Sequence, residues 1–139
     1  MADLQAHHFG IIVEDIEESL SFYRDTLGLE VAAEFTLDGD GIATAIDVEG
    51  VTGRFAHLDA GGARIELIEY EPAGETARAE AVNQLGAKHA GFEVDDIDAF
   101  YADLPDSASP IAEPQRSQSG ARILFFEDPD GNILEVIST

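Results

Sequence analysis

The sequence predicts an α+β fold built from two tandem βαβββ modules that form a cupped, mixed sheet. Three observations carry this prediction: a length of 139 residues, an ordinary balance of 45 % hydrophobic and 26 % charged residues, and an internal repeat. This length suits one domain made of two small halves, and this composition excludes wholesale disorder and fibrous structure. We therefore expect residues 1–139 to form a single folded domain.

The repeat is clearest at the start and the end of each half. The ten residues from His8 and the ten from His89 share five identities: His, Gly, Val, Asp and Ile. Near the end of each half, Glu66 in the segment ARIELI lies over Glu135 in the segment NILEVI. Module one therefore spans about residues 6–71 and module two about residues 88–139, with extra residues in module one placed within 38–53.

Each module reads as a strand, a helix and three further strands. In module one, residues 7–14 are β-branched and apolar, and Asp15 is a suitable helix N-cap. The helix ends at Gly28, a residue suited to helix C-termini. Its inward stripe is Ile16, Leu20, Tyr23 and Leu27. Strands are predicted at 29–37, 54–60 and 63–70, with a hairpin turn at 60–62.

Module two repeats this order with a shorter helix. Its first strand contains His89, and its helix is capped by Asp96 and ended by Pro105. The inward residues of this helix are Ile97, Phe100, Tyr101 and Leu104. Strands are predicted at 111–115, 121–127 and 132–138, with a turn at 128–131. Residues 71–87 are interpreted as a connector with a helical turn.

The charge balance excludes several classes of partner. The chain has 29 acidic and 7 basic residues, a formal net charge of -22, and a sequence pI near 4.1. Such a surface repels nucleic acid and anionic membranes, and no basic stripe is present to contact phosphates. The acids are spread through the chain and Lys88 is its one lysine, which favours the salt-adapted surface of a halophile over an ordinary acidic protein.

Other absences narrow the location and the chemistry. No apolar run approaches the roughly 18 residues of a membrane span, and residues 1–5 lack the basic and apolar regions of a secretion signal, so we expect a cytoplasmic protein. The chain has no cysteine, which excludes disulfides, a thiolate nucleophile and sulfur-ligated zinc. Any metal site must therefore use His, Asp and Glu.

Two His and two Glu occupy equivalent positions of the repeat. His8 and His89 lie on the strand face opposite the predicted helices, while Glu66 and Glu135 stand within apolar strands. Burying an unpaired carboxylate costs several kcal/mol, so each Glu needs a partner. Two imidazoles and two carboxylates suit one divalent ion such as Zn, Ni, Co, Mn or Fe. We predict that these four side chains are its ligands.

Alternatives to this ligand set remain open at this point. Either Glu could instead form a salt bridge with Arg64 or Arg122. His7 is placed on the other strand face and has no counterpart in module two, so it is left out. His57 lies on a predicted strand and could line the same cavity, but a structural or exposed role is favoured. The acidic runs 14–18 and 95–98 fit helix starts better than calcium loops.

Taken together, these residues resemble the vicinal oxygen chelate superfamily, which includes glyoxalase I, methylmalonyl-CoA epimerase, extradiol dioxygenases, and the fosfomycin and bleomycin resistance proteins. The resemblance implies that His8, Glu66, His89 and Glu135 line a cupped sheet around one divalent ion. It also implies a homodimer acting on a small-molecule substrate. The matching stretches cover nearly the whole chain: 8–11, 21–29, 63–70, 89–97 and 126–135.

Within that superfamily, the ligand set resembles bacterial glyoxalase I, which carries a carboxylate at the position of Glu66. Four protein ligands leave about two positions on an octahedral ion for vicinal substrate oxygens. Glu66 or Glu135 could detach and act as the general base. The resemblance therefore implies a metal-dependent lyase or isomerase that works by proton transfer and enediolate stabilisation.

Three other activities stay open. The first is a methylmalonyl-CoA epimerase-like isomerase, although that family usually has Gln where Glu66 stands. The second is an extradiol dioxygenase, although such enzymes use two His and one Glu. The third is a non-catalytic small-molecule binding or resistance protein, which would ordinarily lack the metal ligands.

The excess of acidic residues predicts salt-dependent stability. Screening shortens the reach of carboxylate repulsion to about 3 Å at 1 M salt, which favours the compact state. The melting temperature should therefore be higher in about 2 M KCl than in about 0.1 M KCl, as measured by thermal denaturation. An unchanged midpoint would contradict the salt-adapted surface.

Overall fold

The computed structural model describes residues 3–139, so Met1 and Ala2, part of the segment from which a secretion signal was excluded, lie outside the described residues. The chain divides into two compact units, Met1–Glu75 and Thr76–Thr139. Each unit mixes strands with short helices, which confirms the predicted α+β class. Within residues 3–139, no helix is long and apolar enough to cross a membrane.

The first unit holds one four-stranded sheet in the order β1-β4-β3-β2. Strand β1 runs parallel to β4, and the other neighbours are antiparallel. The order of strands and first helix agrees with the predicted module. The elements are β1 (Phe9–Ile12), α1 (Ile16–Leu20) continued by a π-helix (Ser21–Thr26), β2 (Glu30–Asp38), α2 (Asp40–Ile46), β3 (Thr52–Asp59) and β4 (Arg64–Glu71).

The first helix begins as predicted and then widens. The Asp15 carboxylate accepts hydrogen bonds from the backbone amides of Glu17 and Glu18, and it thereby caps α1. After Leu20 the chain forms a π-helix, which is wider than an α-helix. Two consecutive side chains of this segment, Phe22 and Tyr23, are buried in the core. The predicted stripe had included only Tyr23 of this pair.

Two other features of the first unit differ from the prediction. Strand β1 covers only Phe9–Ile12, so the residues before it do not follow the strand alternation. The extra residues placed within 38–53 contain α2, which was not predicted. None of the seven residues of α2 is buried, and its short apolar set, Ile42, Ala43 and Ile46, is only half-buried. The helix lies in the residues that module two lacks, so the repeat gave no second copy from which to predict it.

The second unit repeats the sheet order. Its strands lie in the order β5-β9-β8-β6, β7 also pairs with β8, and β5 runs parallel to β9. Two two-residue strands replace the predicted strand 111–115. The connector 71–87 contains isolated turns and no regular helix. The elements are β5 (His89–Glu93), α3 (Ile97–Asp103), β6 (Ser109–Pro110), β7 (Gln115–Arg116), β8 (Arg122–Glu127) and β9 (Ile133–Ser138).

In each unit the core contains side chains from the helix and from the central strands. Tyr23 and Leu58 are fully buried in the first unit, as are Phe126 and Leu134 in the second. The turn before β9 is fixed by Asp128, whose carboxylate accepts from backbone amides on either side of the bend and from the Asn132 side chain. These contacts set the hairpin register on which the candidate site depends.

The Asp15 cap predicts a measurable contribution to stability. Asp15→Ala removes the acceptor of two helix amides and should lower the free energy of unfolding by about 1 kcal/mol in denaturant titrations. The exposed Asp106→Ala is the matched control, because it removes the same charge without removing a cap. Equal effects of the two substitutions would show that the cap does not stabilise α1.

Candidate functional site

The candidate site of the first unit is built around the carboxylate of Glu66. This residue lies on β4, with Gly10 of β1 and His57 of β3 as its register neighbours. It is 7 % exposed. Its Oε1 lies 3.4 Å from His8 Nε2 and its Oε2 lies 2.5 Å from His57 Nε2. The buried carboxylate is therefore placed between two imidazoles.

The second unit carries the corresponding pair. Glu135 lies on β9, with Gly91 of β5 and Phe125 of β8 as its register neighbours. Its Oε1 lies 3.3 Å from His89 Nε2, and its side chain is 20 % exposed. A Cβ atom at Gly91 would lie 3.7 Å from that same oxygen. In both units the carboxylate thus has a glycine on one side and an aromatic ring on the other.

The structure therefore brings the four predicted residues together as two His–Glu pairs, one in each unit. The contacts of both carboxylates are with imidazoles, rather than with the guanidinium groups considered as alternatives. Arg122 pairs instead with Asp98 at 2.5 and 2.9 Å, and this hydrogen bonding holds the pKa of the Asp98 carboxyl below its usual range.

Two other histidines lie close to the His8–Glu66 pair. His57 is buried in contact with Glu66, so it is not exposed, and a structural role for it stays a prediction. His7 was placed on the other strand face, but its Nδ1 lies 2.8 Å from His8 Nδ1 and its ring packs edge-on to His57. The reason is that β1 begins only at Phe9, so alternation does not govern His7.

The side chains present fit a divalent ion. Bonds of roughly 2.1 Å at right angles place two ligand atoms about 3 Å apart, close to the 3.4 and 3.3 Å separations within the pairs. Those separations also exceed the 2.7–2.9 Å or so of a direct charge-assisted hydrogen bond. Each pair has the spacing of two ligand atoms, and no group of three or more His, Asp or Glu side chains among residues 3–139 has the geometry of a complete metal site.

Tyr70 lies on β4, four residues after Glu66. Burial, and to a smaller extent the negative charge of Glu66, raise the pKa of the Tyr70 hydroxyl above its ordinary value. The hydroxyl therefore stays protonated at neutral pH. Tyr70 packs edge-on to Phe55 and belongs to the apolar wall of this unit.

Comparison with known proteins gives one family and several relatives. Residues 5–136 match the model of the glyoxalase/bleomycin resistance protein/dioxygenase superfamily. The chain is 34 % identical to the uncharacterized protein YaeR of Escherichia coli, with 95 % of this chain and 94 % of that protein aligned.

Several relatives are epimerases. The chain is 27 % identical to a 2-epi-5-epi-valiolone epimerase of Actinomyces sp., covering 95 % of this chain and 78 % of that one. It is 28 % identical to the ethylmalonyl-CoA/methylmalonyl-CoA epimerase of Cereibacter sphaeroides, covering 91 % and 90 %.

The fold has close counterparts among solved structures. A glyoxalase family protein from Bacillus cereus superposes with a TM-score of 0.86 at 22 % identity, covering 99 % of this chain and 95 % of that one. At this level of identity the likeness concerns the fold alone.

Proposed function

Because the chain belongs to the glyoxalase/bleomycin resistance protein/dioxygenase superfamily, we propose that it is a metal-dependent isomerase or lyase that transfers a proton at a carbon next to a carbonyl group. The observation that carries this proposal is the pairing of one imidazole with one carboxylate in each unit. In this proposal His8, Glu66, His89 and Glu135 hold the ion. The epimerase relatives support the proton-transfer class.

The bound ion would act as a Lewis acid on the substrate carbonyl and so acidify the neighbouring C–H bond. The chain's part is to remove and return the proton. A carboxylate oxygen of Glu135 is suited to this step, because its side chain is 20 % exposed whereas Glu66 is nearly covered. In an epimerisation a proton leaves one face of the carbon and a proton is returned to the other face.

The substrate proposed is a small molecule with vicinal oxygens and little negative charge. The net charge of -22 repels anions. Three of the six arginines, Arg24, Arg54 and Arg122, are already paired with carboxylates. Epimerisation of a CoA ester, the activity for which two relatives are named, is therefore the second candidate, because the phosphates of such a substrate would meet few basic side chains.

Metal binding is the first test. Purified protein should bind about one divalent ion per chain, as measured by metal analysis after dialysis against Zn, Ni, Co, Mn or Fe(II) salts. Glu66→Gln and His89→Ala should each lower the bound fraction, because each removes a ligand. Tyr70→Phe is the control, since it leaves both pairs intact. No bound metal, or binding indifferent to both substitutions, would refute the ligand set.

Proton transfer is the second test. With the ion bound, the protein should exchange deuterium from D2O into the carbon next to the carbonyl of an α-hydroxyketone or of a hemithioacetal, as followed by NMR. Glu135→Gln should slow the exchange about 100-fold or more, the range expected for losing a general base. Turnover that requires Fe(II) and consumes dioxygen would replace this proposal with a dioxygenase. Activity confined to methylmalonyl-CoA would favour the second candidate.

A further inference from the structure

The two carboxylates have unequal neighbours, and the difference lies at one register position. On β3, the residue opposite Glu66 is His57; on β8, the residue opposite Glu135 is Phe125. Two other parts of the arrangement correspond, namely the glycine on the parallel strand and the imidazole on Oε1. The repeat therefore supplies its own comparison of a carboxylate with and without a second imidazole.

The two imidazoles contact different oxygens of Glu66: His8 lies near Oε1 and His57 near Oε2. His57 Nε2 lies 2.5 Å from Glu66 Oε2, so with the carboxylate ionised the ring N–H donates to it. His8 faces the other oxygen, Oε1, at 3.4 Å. In the second unit, Phe125 offers no donor to Glu135 and packs edge-on to the His89 ring, with centroids 5.2 Å apart.

His57 is itself held in place. Its side chain is only 10 % exposed, and its ring stacks near that of His8 and meets the edge of Phe35, at centroid distances of 6.1 and 5.2 Å. A buried ring fixed on two sides has few orientations, and each of them must satisfy its polar nitrogens. The His57 ring that forms the hydrogen bond to Glu66 is therefore fixed in its position.

We propose that His57 is a positioning residue that fixes the Glu66 carboxylate by its Oε2 atom and leaves Oε1 to serve as a single-oxygen ligand. This inference rests on the proposed function, in which Glu66 is a metal ligand. The two carboxylates then differ in one respect: Oε2 of Glu66 is fixed by a hydrogen bond from His57, whereas the residue opposite Glu135, Phe125, offers no donor. Removing partners that orient a metal ligand typically costs 10–100-fold in metal affinity, so the role of His57 has a measurable consequence.

The test compares two substitutions with the wild type, using Co²⁺ as the probe. His57→Phe reproduces the arrangement of the second unit and removes the donor, whereas His57→Gln keeps an N–H donor. We expect His57→Phe to weaken Co²⁺ binding by about 10–100-fold in calorimetric titrations and to change the visible absorption of the bound Co²⁺. His57→Gln should stay within about threefold of the wild type and keep its spectrum.

Thermal melts of the three metal-free proteins separate positioning from folding. If His57→Phe melts as a cooperative unit and still binds Co²⁺ weakly with an altered spectrum, the positioning role is supported. If His57→Phe fails to fold, His57→Leu takes its place and should give the same loss of affinity and the same spectral change.

Three results would overturn the inference. Equal affinity and spectra for the wild type, His57→Phe and His57→Gln would exclude positioning and leave the proposed function standing. A loss above about a thousandfold in both substitutions would make His57 a ligand of the ion rather than a positioning residue. A wild-type protein that binds no Co²⁺, Zn²⁺ or Ni²⁺ would refute the metal site and this inference together.

Discussion

A carboxylate on a central strand of each sheet is the constraint around which both units are arranged. Glu66 and Glu135 stand where apolar side chains would normally be, so each must find a polar partner or be neutralised. Each has a histidine as partner: His8 directly precedes the parallel neighbour strand of Glu66, and His89 begins that of Glu135. Strand order, the hairpin turns and the helix that covers the opposite face all serve to hold that register.

Most of the module pattern could be predicted from the sequence because it rests on local signals. Asp15 and Asp96 mark the helix starts, and the turns before β4 and β9 carry glycines that adopt positive φ at Gly61 and Gly131. Helix α2 and the π-helix were not predicted. Helix α2 has only a short, half-buried apolar set, Ile42, Ala43 and Ile46, and no counterpart in module two. The π-helix depends on tertiary packing that buries two adjacent aromatic side chains.

The candidate site was predicted only in part, again because some of its features depend on tertiary structure rather than on local signals. Equivalence under the repeat identifies His8, Glu66, His89 and Glu135, but it cannot find a residue that only one half contains. His57 has no histidine counterpart, and its place opposite Glu66 depends on the exact register of the β3–β4 hairpin. The single domain, the joint ligation of one ion, the homodimer, the cytoplasmic location and the halophilic surface stay predictions.

The ring opposite each carboxylate also bears on how such a protein can change. A position that faces the carboxylate from the neighbouring strand, and that accepts either an imidazole or a phenyl ring, can alter the surroundings of one carboxylate without changing the His–Glu pair itself. Repeated modules can therefore differ by single substitutions beside a shared His–Glu pair. In this chain His57 in one module and Phe125 in the other are such a difference.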